Sequence, residues 1–592
     1  MTTLSRLASL SVACLVLLAG LLSGCDSFLN YNPKGKVSGQ KLNTPKKVEQ
    51  LVTAAYAELG NDYWLYPHSN PWPYGSVRSD NSYKGGGSVS DQKGFDTYET
   101  FNAIRPDQRK ADRMWVHLYR GISRANEALR RIKPLSEEEY PEKTTRMAEM
   151  RFVRGHFYFL AKIFFRQIPY LDETVPEDSA KFVGNRQFSD NYQGNSQALW
   201  DRIASDFQFA MENLPPPQEL DVGRADKYAA MSYLAKTRLY QAYEKDQNHQ
   251  VTNINTDRLQ TVVDLINRIQ SSGSYDLHDD FAKNFLWTFE NGKESVFAVQ
   301  RSINDGTPDG RVDMANGLNY TMNPEFGCCW FHIPSQNLVN AFQTRPNGLP
   351  EFQNYNQPDP ADTDSAFFQT ETFDPRLDHT VSIPKHPFKY DQSLIYDSTW
   401  ARVPGLYGQF SSMKELQHPG CPCYKAVGPF HASSKNNVII RYADVLLWKA
   451  EALIQLGRLR DGLDIINRIR RRAKNSKDRL TYIRNGSNFT YTNYNIQEYE
   501  PGQNITMNFE EVWRALRWER RLELAMESHR FFDLVRWGRA KETLSTYFAE
   551  ESTRRTHLKD AKFTKGRDEY LPIPQQQIDF SEGLYKQNTG WN

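Results

Sequence analysis

Long apolar runs are nearly absent from these 592 residues. The only one, between Leu7 and Leu22, is shorter than the roughly 20 residues a spanning helix needs, which argues against a polytopic membrane protein. Charge of one sign is absent as well: 73 Lys and Arg face 71 Asp and Glu, a formal +2. No strong field favours nucleic acid, so none is expected as a partner. Enzyme signatures are missing too. There is no His-Glu-x-x-His, no Gly-x-Ser-x-Gly and no Walker loop, and Gly85-Gly86-Gly87 lacks the strand-then-lysine context of a phosphate cradle. No pair of carboxylates is marked for glycoside chemistry. The chain is read as non-enzymatic, with no cofactor and no metal. What it has in surplus is aromatic: Tyr 31, Phe 33 and Trp 12, against a mean hydropathy of −0.69. Disordered chains are poor in such residues. Most aromatics pack cores, and those left on loops can stack on ligands.

Arg6 precedes the apolar run, and Leu22-Ser23-Gly24-Cys25 closes it. A charged start, an apolar middle and a small-residue exit make a signal peptide over residues 1–24. The exit resembles the lipobox of bacterial lipoproteins, whose cysteine is acylated, so Cys25 is the expected lipid attachment. Several acyl chains, each buried CH₂ contributing about 0.8 kcal/mol, anchor stably without spanning. Residues 25–45 read as a tether.

Cysteine is scarce, six in all, and Cys14 leaves with the signal. Cys328, Cys329, Cys421 and Cys423 remain. In an exported chain disulfides are favoured over free thiols, and four cysteines allow three pairings. Adjacent cysteines and a Cys-Pro-Cys run lack the spacing of a zinc site.

Helical periodicity marks 46–59, 112–132, 145–165, 197–213, 227–243 and 257–272, paired helices of a tetratricopeptide-like kind within an N-terminal region of 46–274. From 275 to about 437 it fades into Gly, Pro, Asn and Asp, with a short strand at Ser295–Gln300. Within this C-terminal region of 275–592 it returns at 438–474 across a turn at Gly457, then at 508–528 and 530–547. Glu519, Glu523 and Glu527 lie four apart on one helix face. With Arg520 and Arg530 three residues from two of them, they read as an ion-pair network that packs the last helices on 440–474. Arg468, Arg470, Arg471 and Arg472 read as a solvated face.

Arg441-Tyr442-Ala443-Asp444-Val445-Leu446-Leu447-Trp448-Lys449-Ala450-Glu451-Ala452 resembles the central C-terminal motif of the SusD/RagB family. Glu519-Arg520-Arg521-Leu522-Glu523-Leu524-Ala525 with Arg530-Phe531-Phe532-Asp533-Leu534 resembles a second signature, and Leu571-Pro572-Ile573-Pro574 and Asn588-Thr589-Gly590-Trp591 its closing motifs. Asp374-Pro375-Arg376-Leu377 and Arg151 to Phe159 fit as well. The resemblance implies a mainly α, SusD-like fold: four tetratricopeptide-like helix pairs packed against a loop-rich C-terminal region with few short strands. It implies a lipid-anchored protein on the outer surface of a Bacteroidetes-type cell. Such a protein captures oligosaccharides and passes them to a SusC-like TonB-dependent transporter in the outer membrane. A peptide-binding, RagB-like role and a surface hydrolase are the competing readings.

Sugar rings offer apolar C–H faces and hydroxyl rims, matched by aromatic rings and by Asp, Asn and Arg. Three loop zones carry that mixture. The first runs from Asp62 to Tyr83 and includes Tyr63 and Tyr66; its candidates are Trp64, Trp72, Tyr74, Arg78, Asp80, Asn81 and Tyr83. The second, Trp287 to Phe331, offers Tyr320 and Trp330, the latter beside Cys328-Cys329, whose pairing with each other would form a turn that presents it. The third holds Trp400, Arg402 and Tyr407, with Arg402 and Tyr407 as candidates.

Overall fold

The computed structural model describes residues 43–188, 198–217, 221–308, 310–357 and 365–591. The expected signal peptide, Cys25 and most of the expected tether lie outside them. Among the described residues, six helices of 15 or more residues come first: α1 (Pro45–Leu59), α2 (Arg109–Ile132), α3 (Lys143–Phe165), α4 (Ala198–Asn213), α5 (Lys227–Ala242) and α6 (Thr256–Ser271). Each starts or faces inward for a visible reason. Pro45 suits the first turn of α1, where its missing N–H is not needed. Asp226 caps α5 by accepting from the Tyr228 and Ala229 N–H groups at 2.7 and 2.8 Å. On α2, Met114, Leu118, Ile122, Ala125, Leu129 and Ile132 recur at three- and four-residue steps and are all buried.

These helices stack in chain order, α1 on α2, α3 on α4 and α5 on α6, and each pair packs on the next. Two glycines let them approach. A Cβ on Gly121 of α2 would lie 2.2 Å from the Phe157 ring of α3, and one on Gly155 would lie 2.9 Å from Phe207 of α4. The fourth pair comes much later in sequence: α7 (Tyr442–Gln455) packs on α6, and α8 (Leu459–Asn475) on α7. Gly457, at φ +79°, makes the turn between them. The stack thus runs through the expected division at 275, and the loop-rich stretch is an excursion between its third and fourth pairs.

Antiparallel two-stranded ribbons tie the excursion down. Their strands include β1 (Ser82–Gly85), β2 (Ser295–Val299), β3 (Phe331–Pro334), β4 (Tyr424–Val427), β5 (Phe430–Ser433) and β6 (Asn437–Arg441). β2 pairs with β6, Asn437 opposite Val299, and so closes the excursion at its base. Residues 438–441, expected as helix, are this strand; β-branched Val438, Ile439 and Ile440 suit it. β1 pairs with β3, Tyr83 opposite Ile333, and binds the N-terminal loop to the excursion. β4 and β5 form a hairpin. Helices α9 (Phe509–Glu523), α10 (Arg530–Arg536) and α11 (Ala540–Glu551) follow the fourth pair. The helix expected over 530–547 breaks at Gly538, φ +69°.

The acidic signature is a buried ion network. Arg376 donates to Glu519 and Glu523 at 2.6 and 3.0 Å. Arg441 donates to Glu523 and Glu527 at 2.8 Å each, Arg470 to Glu519 at 3.3 Å, and Arg472 to Glu523 and Glu294. The network joins α9 to α8 and β6, as the spacing predicts. The partners of Arg520 and Arg530 differ from expectation. Arg520 pairs with Asp444 and Asp533, and Arg530 with Asp80. The chain leaves the helix after Glu523 and turns through left-handed Met526 and Ser528, so Glu527 and Arg530 share no helix face. Only part of the basic run is solvated: Arg468 and Arg471 pair at the surface with Asp276 and Glu498, while Arg470 and Arg472 are buried.

Candidate functional site

Nine of the eleven proposed contacts are buried, and that corrects the expectation for each, since a side chain enclosed by protein offers no face to a ligand. Trp72 stacks on His332, meets Phe95 edge-on and donates its Nε1–H to the Ala315 carbonyl at 3.1 Å. Tyr74 packs on Tyr98 and Phe164. Arg78 lies 4.1 Å above the Phe531 ring and donates to the Asp568 carbonyl at 2.6 Å; burial pushes it down to about 10. Asp80 accepts both arms of Arg530 at 2.8 and 2.9 Å, and Asn81 accepts from Arg521 at 3.0 Å. Tyr83 donates to Glu551. Tyr320 packs on Phe326 and Tyr424, and Trp330 meets Tyr407 edge-on, all of them buried. A loop docked in a core must satisfy its polar groups there. The aromatic-plus-Asp/Asn/Arg mixture that suits sugar is therefore also what docks this loop against α9 and α10.

The cysteines pair locally, Cys328 with Cys329 and Cys421 with Cys423. The second disulfide sits at the base of the β4–β5 hairpin. Beside the first, Arg402 keeps 37% of its side chain exposed, pairs with Asp91 at 3.0 Å and reaches the Cys329 carbonyl at 3.5 Å.

Trp64, half-buried, is the other candidate that is not enclosed, and it has company. Between Asp62 and Ser69 the chain forms a small arch. Tyr66 N–H donates to the Tyr63 carbonyl at 2.9 Å, and the two residues form an isolated antiparallel bridge. Tyr63 is exposed, at 39%, and its ring centroid lies 5.1 Å from that of Trp64 and 5.5 Å from that of Tyr66, at similar tilts of 35° and 32°. Tyr66 stacks on His117 of α2 at 4.1 Å, and Trp64 packs on Phe430 of β5 at 5.1 Å. Sequence reasoning singled out the zone and Trp64, but not Phe430. A single aromatic in a long loop carries no periodic signal.

The arch is held from beneath. Asp62 accepts from the His68 and Ser69 N–H groups at 2.7 and 2.9 Å and from Arg301 at 2.6 Å. Arg301 also donates to the Gly60 carbonyl at 2.6 Å and to Asn437 at 2.7 Å. Through Asp62 and the Ser69 hydroxyl, to which it donates at 3.0 Å, one guanidinium grips both feet of the arch. Burial alone would raise the Asp62 carboxyl, but His68 and Arg301 hold it at about 2. Rings fixed on a clamped turn stack on a ligand with little ordering cost. Among the described residues no group of three or more His, Cys, Asp or Glu is placed to hold a metal ion.

Residues 293–591 match the model of the SusD family, and residues 27–239 match one described as starch-binding associating with outer membrane. A SusD-like protein of Formosa agariphila is 23% identical over 561 residues, covering 91% of this chain and 94% of the relative. One of Bacteroides ovatus is 24% identical over 529 residues, covering 88% and 81%. Among solved structures, a SusD homolog from Bacteroides thetaiotaomicron superposes with a TM-score of 0.68 at 19% identity, over 94% of this chain and 99% of that one. Surface glycan-binding protein A of the same organism, in complex with laminarihexaose, gives 0.63 at 19% identity, over 92% and 99%. The helix stack, the SusD signatures and a family match over half the length agree: this chain belongs to the SusD family.

Proposed function

We propose that this protein is a lipid-anchored surface lipoprotein that captures oligosaccharides on the Tyr63–Trp64–Tyr66 arch and delivers them to a SusC-like TonB-dependent transporter. The observation that carries this reading is the clamped aromatic arch, on which Tyr63 is exposed and Trp64 and Tyr66 are half-buried. Starch binding in one family description, and laminarihexaose on a protein of the same fold, support a glycan as its cargo. A binding role without catalysis is supported by the acidic signature, whose three glutamates are each engaged by Arg side chains. The test is calorimetric titration with soluble starch-type and laminarin-type oligosaccharides. Micromolar-range binding to at least one glycan is the expected result. No glycan binding together with tight peptide binding would overturn it in favour of a peptide-capturing protein, and new reducing ends on incubation would point to a hydrolase.

No described helix is long and apolar enough to cross a membrane. Attachment is assigned to acylation of Cys25 on the lipobox-like Leu22-Ser23-Gly24-Cys25. Cys25→Ala is expected to move the protein from the membrane fraction to the soluble fraction. Unchanged surface labelling of intact cells would refute acylation at this position.

A further inference from the structure

We propose that a half-enclosed cavity of about 150 Å³ behind the arch is a second binding site, for a monosaccharide-sized sugar bearing a carboxylate. It lies where α3 and α5 meet the loop-rich region, and its wall includes His68, Phe159, Tyr233, Lys236, Lys435 and His529. A packing fault in a core is lined by apolar groups and stays dry. This one mixes apolar side chains such as Phe159, Ile163 and Phe532 with polar groups whose partners are unevenly shared.

The acids on the wall are satisfied. Asp313 accepts from Asn316 and Asn437 at 2.6 and 2.8 Å. Glu527 accepts from Lys414 and Arg441 at 2.7 and 2.8 Å, and Glu415 pairs with His332 at 2.8 Å. Two cations are not. The Lys236 ammonium stands 5.3 to 6.0 Å from the centroids of Phe159, Tyr233 and Trp448, with no carboxylate within 4 Å among the described residues. Lys435 is 9% exposed, and among the described residues its Nζ donates only to the Asn436 carbonyl, at 3.2 Å. His68, 1% exposed, has no hydrogen-bond partner on either ring nitrogen among the described residues, its Nδ1 standing 3.7 Å from Asp62.

Buried polar groups left without partners are costly, so a cavity with spare donors fits a ligand rich in acceptors. Spare ammonium groups whose neighbouring carboxylates are already engaged fit an oxyanion. Aromatic faces beside them fit the C–H face of a ring. A sugar acid unites the three. The proposal stands on the cavity alone and does not depend on the arch.

The test is titration of the full chain with glucuronate, glucose and inorganic sulfate. Saturable one-to-one binding of glucuronate is expected, at least tenfold tighter than either control. Lys236→Met and Lys435→Met should each weaken it at least tenfold. Circular dichroism checks their folding, and Lys435→Gln carries the test if either methionine variant is unfolded. Lys435→Met should leave neutral-oligosaccharide binding unchanged, which separates this site from the arch. No binding of glucuronate, glucose binding equally well, sulfate binding equally well, or indifference to both lysines would each overturn the proposal.

Discussion

Glu523→Ala is expected to destabilise the fold by about 3–5 kcal/mol, read as a lowered urea midpoint at unchanged slope. Glu523 is fully buried and accepts from Arg376, Arg441 and Arg472. Those three arginines come from the excursion, the end of β6 and α8, so one carboxylate holds three elements to α9. Its loss leaves guanidinium charge uncompensated in a dry site, which is why removing one partner costs more than the pair contributes. Glu523→Gln keeps the shape and isolates the charge. The acid side follows from the same contacts. Burial alone would raise the Glu523 and Glu527 carboxyls, yet their Arg and Lys partners hold Glu523 far below the usual range and Glu527 at about 2. Asp533, held by Arg520 and Arg536, is also at about 2. Below about 4.5 the unfolded chain binds protons at these groups that the folded chain refuses. Their stabilisation is whole above that pH and is lost as pH falls toward 2. Glu149, Glu551 and Asp568, raised by burial, act with the opposite sign and soften the loss. The wild-type urea midpoint should fall over this window, and that of Glu523→Gln should fall less steeply. Parallel curves would show that the network does not set acid stability.

Helices were the most legible part of the sequence. Apolar residues at three- and four-residue steps placed α1 to α8 within a few residues, because burying one face is what makes such helices stable. Boundaries failed where another interaction took over. Residues 438–441 pair with β2 and so leave the helix, and a left-handed Gly538 divides the last helical stretch. The site was legible only as a zone. Trp72, Asp80 and Trp330 have the composition of a sugar site, but their polar partners lie more than 200 residues away in sequence or, for Trp330 Nε1, are missing. Nothing in the local spacing reveals whether Asp80 meets water or Arg530. Trp64 stays out because Asp62 and Arg301 turn the chain beneath it, a contact across 239 positions.

Trp64→Ala is expected to weaken oligosaccharide binding about 30-fold, on the order of 2 kcal/mol, the scale of a central aromatic anchor. The ring lies between Tyr63 and Phe430, so its removal opens a gap in the middle of the platform. Phe430→Ala should cost less, since it supports Trp64 from one side. The double variant should lose less than the sum, because rings in contact are not independent. Stability separates contact from scaffold. Trp64 is only partly buried, so Trp64→Ala should melt near the wild type. Trp72→Ala truncates a fully buried ring and should cost about 3–5 kcal/mol of stability, with unaltered affinity in whatever fraction stays folded. Arg301→Ala should lower both, because it releases the feet of the arch and leaves the Asp62 carboxylate buried without its guanidinium. Calorimetry and thermal melts on these four single variants decide the matter. If Trp64→Ala binds glycan as the wild type does while Trp72→Ala loses affinity without losing stability, the ligand lies elsewhere and the arch is not its platform.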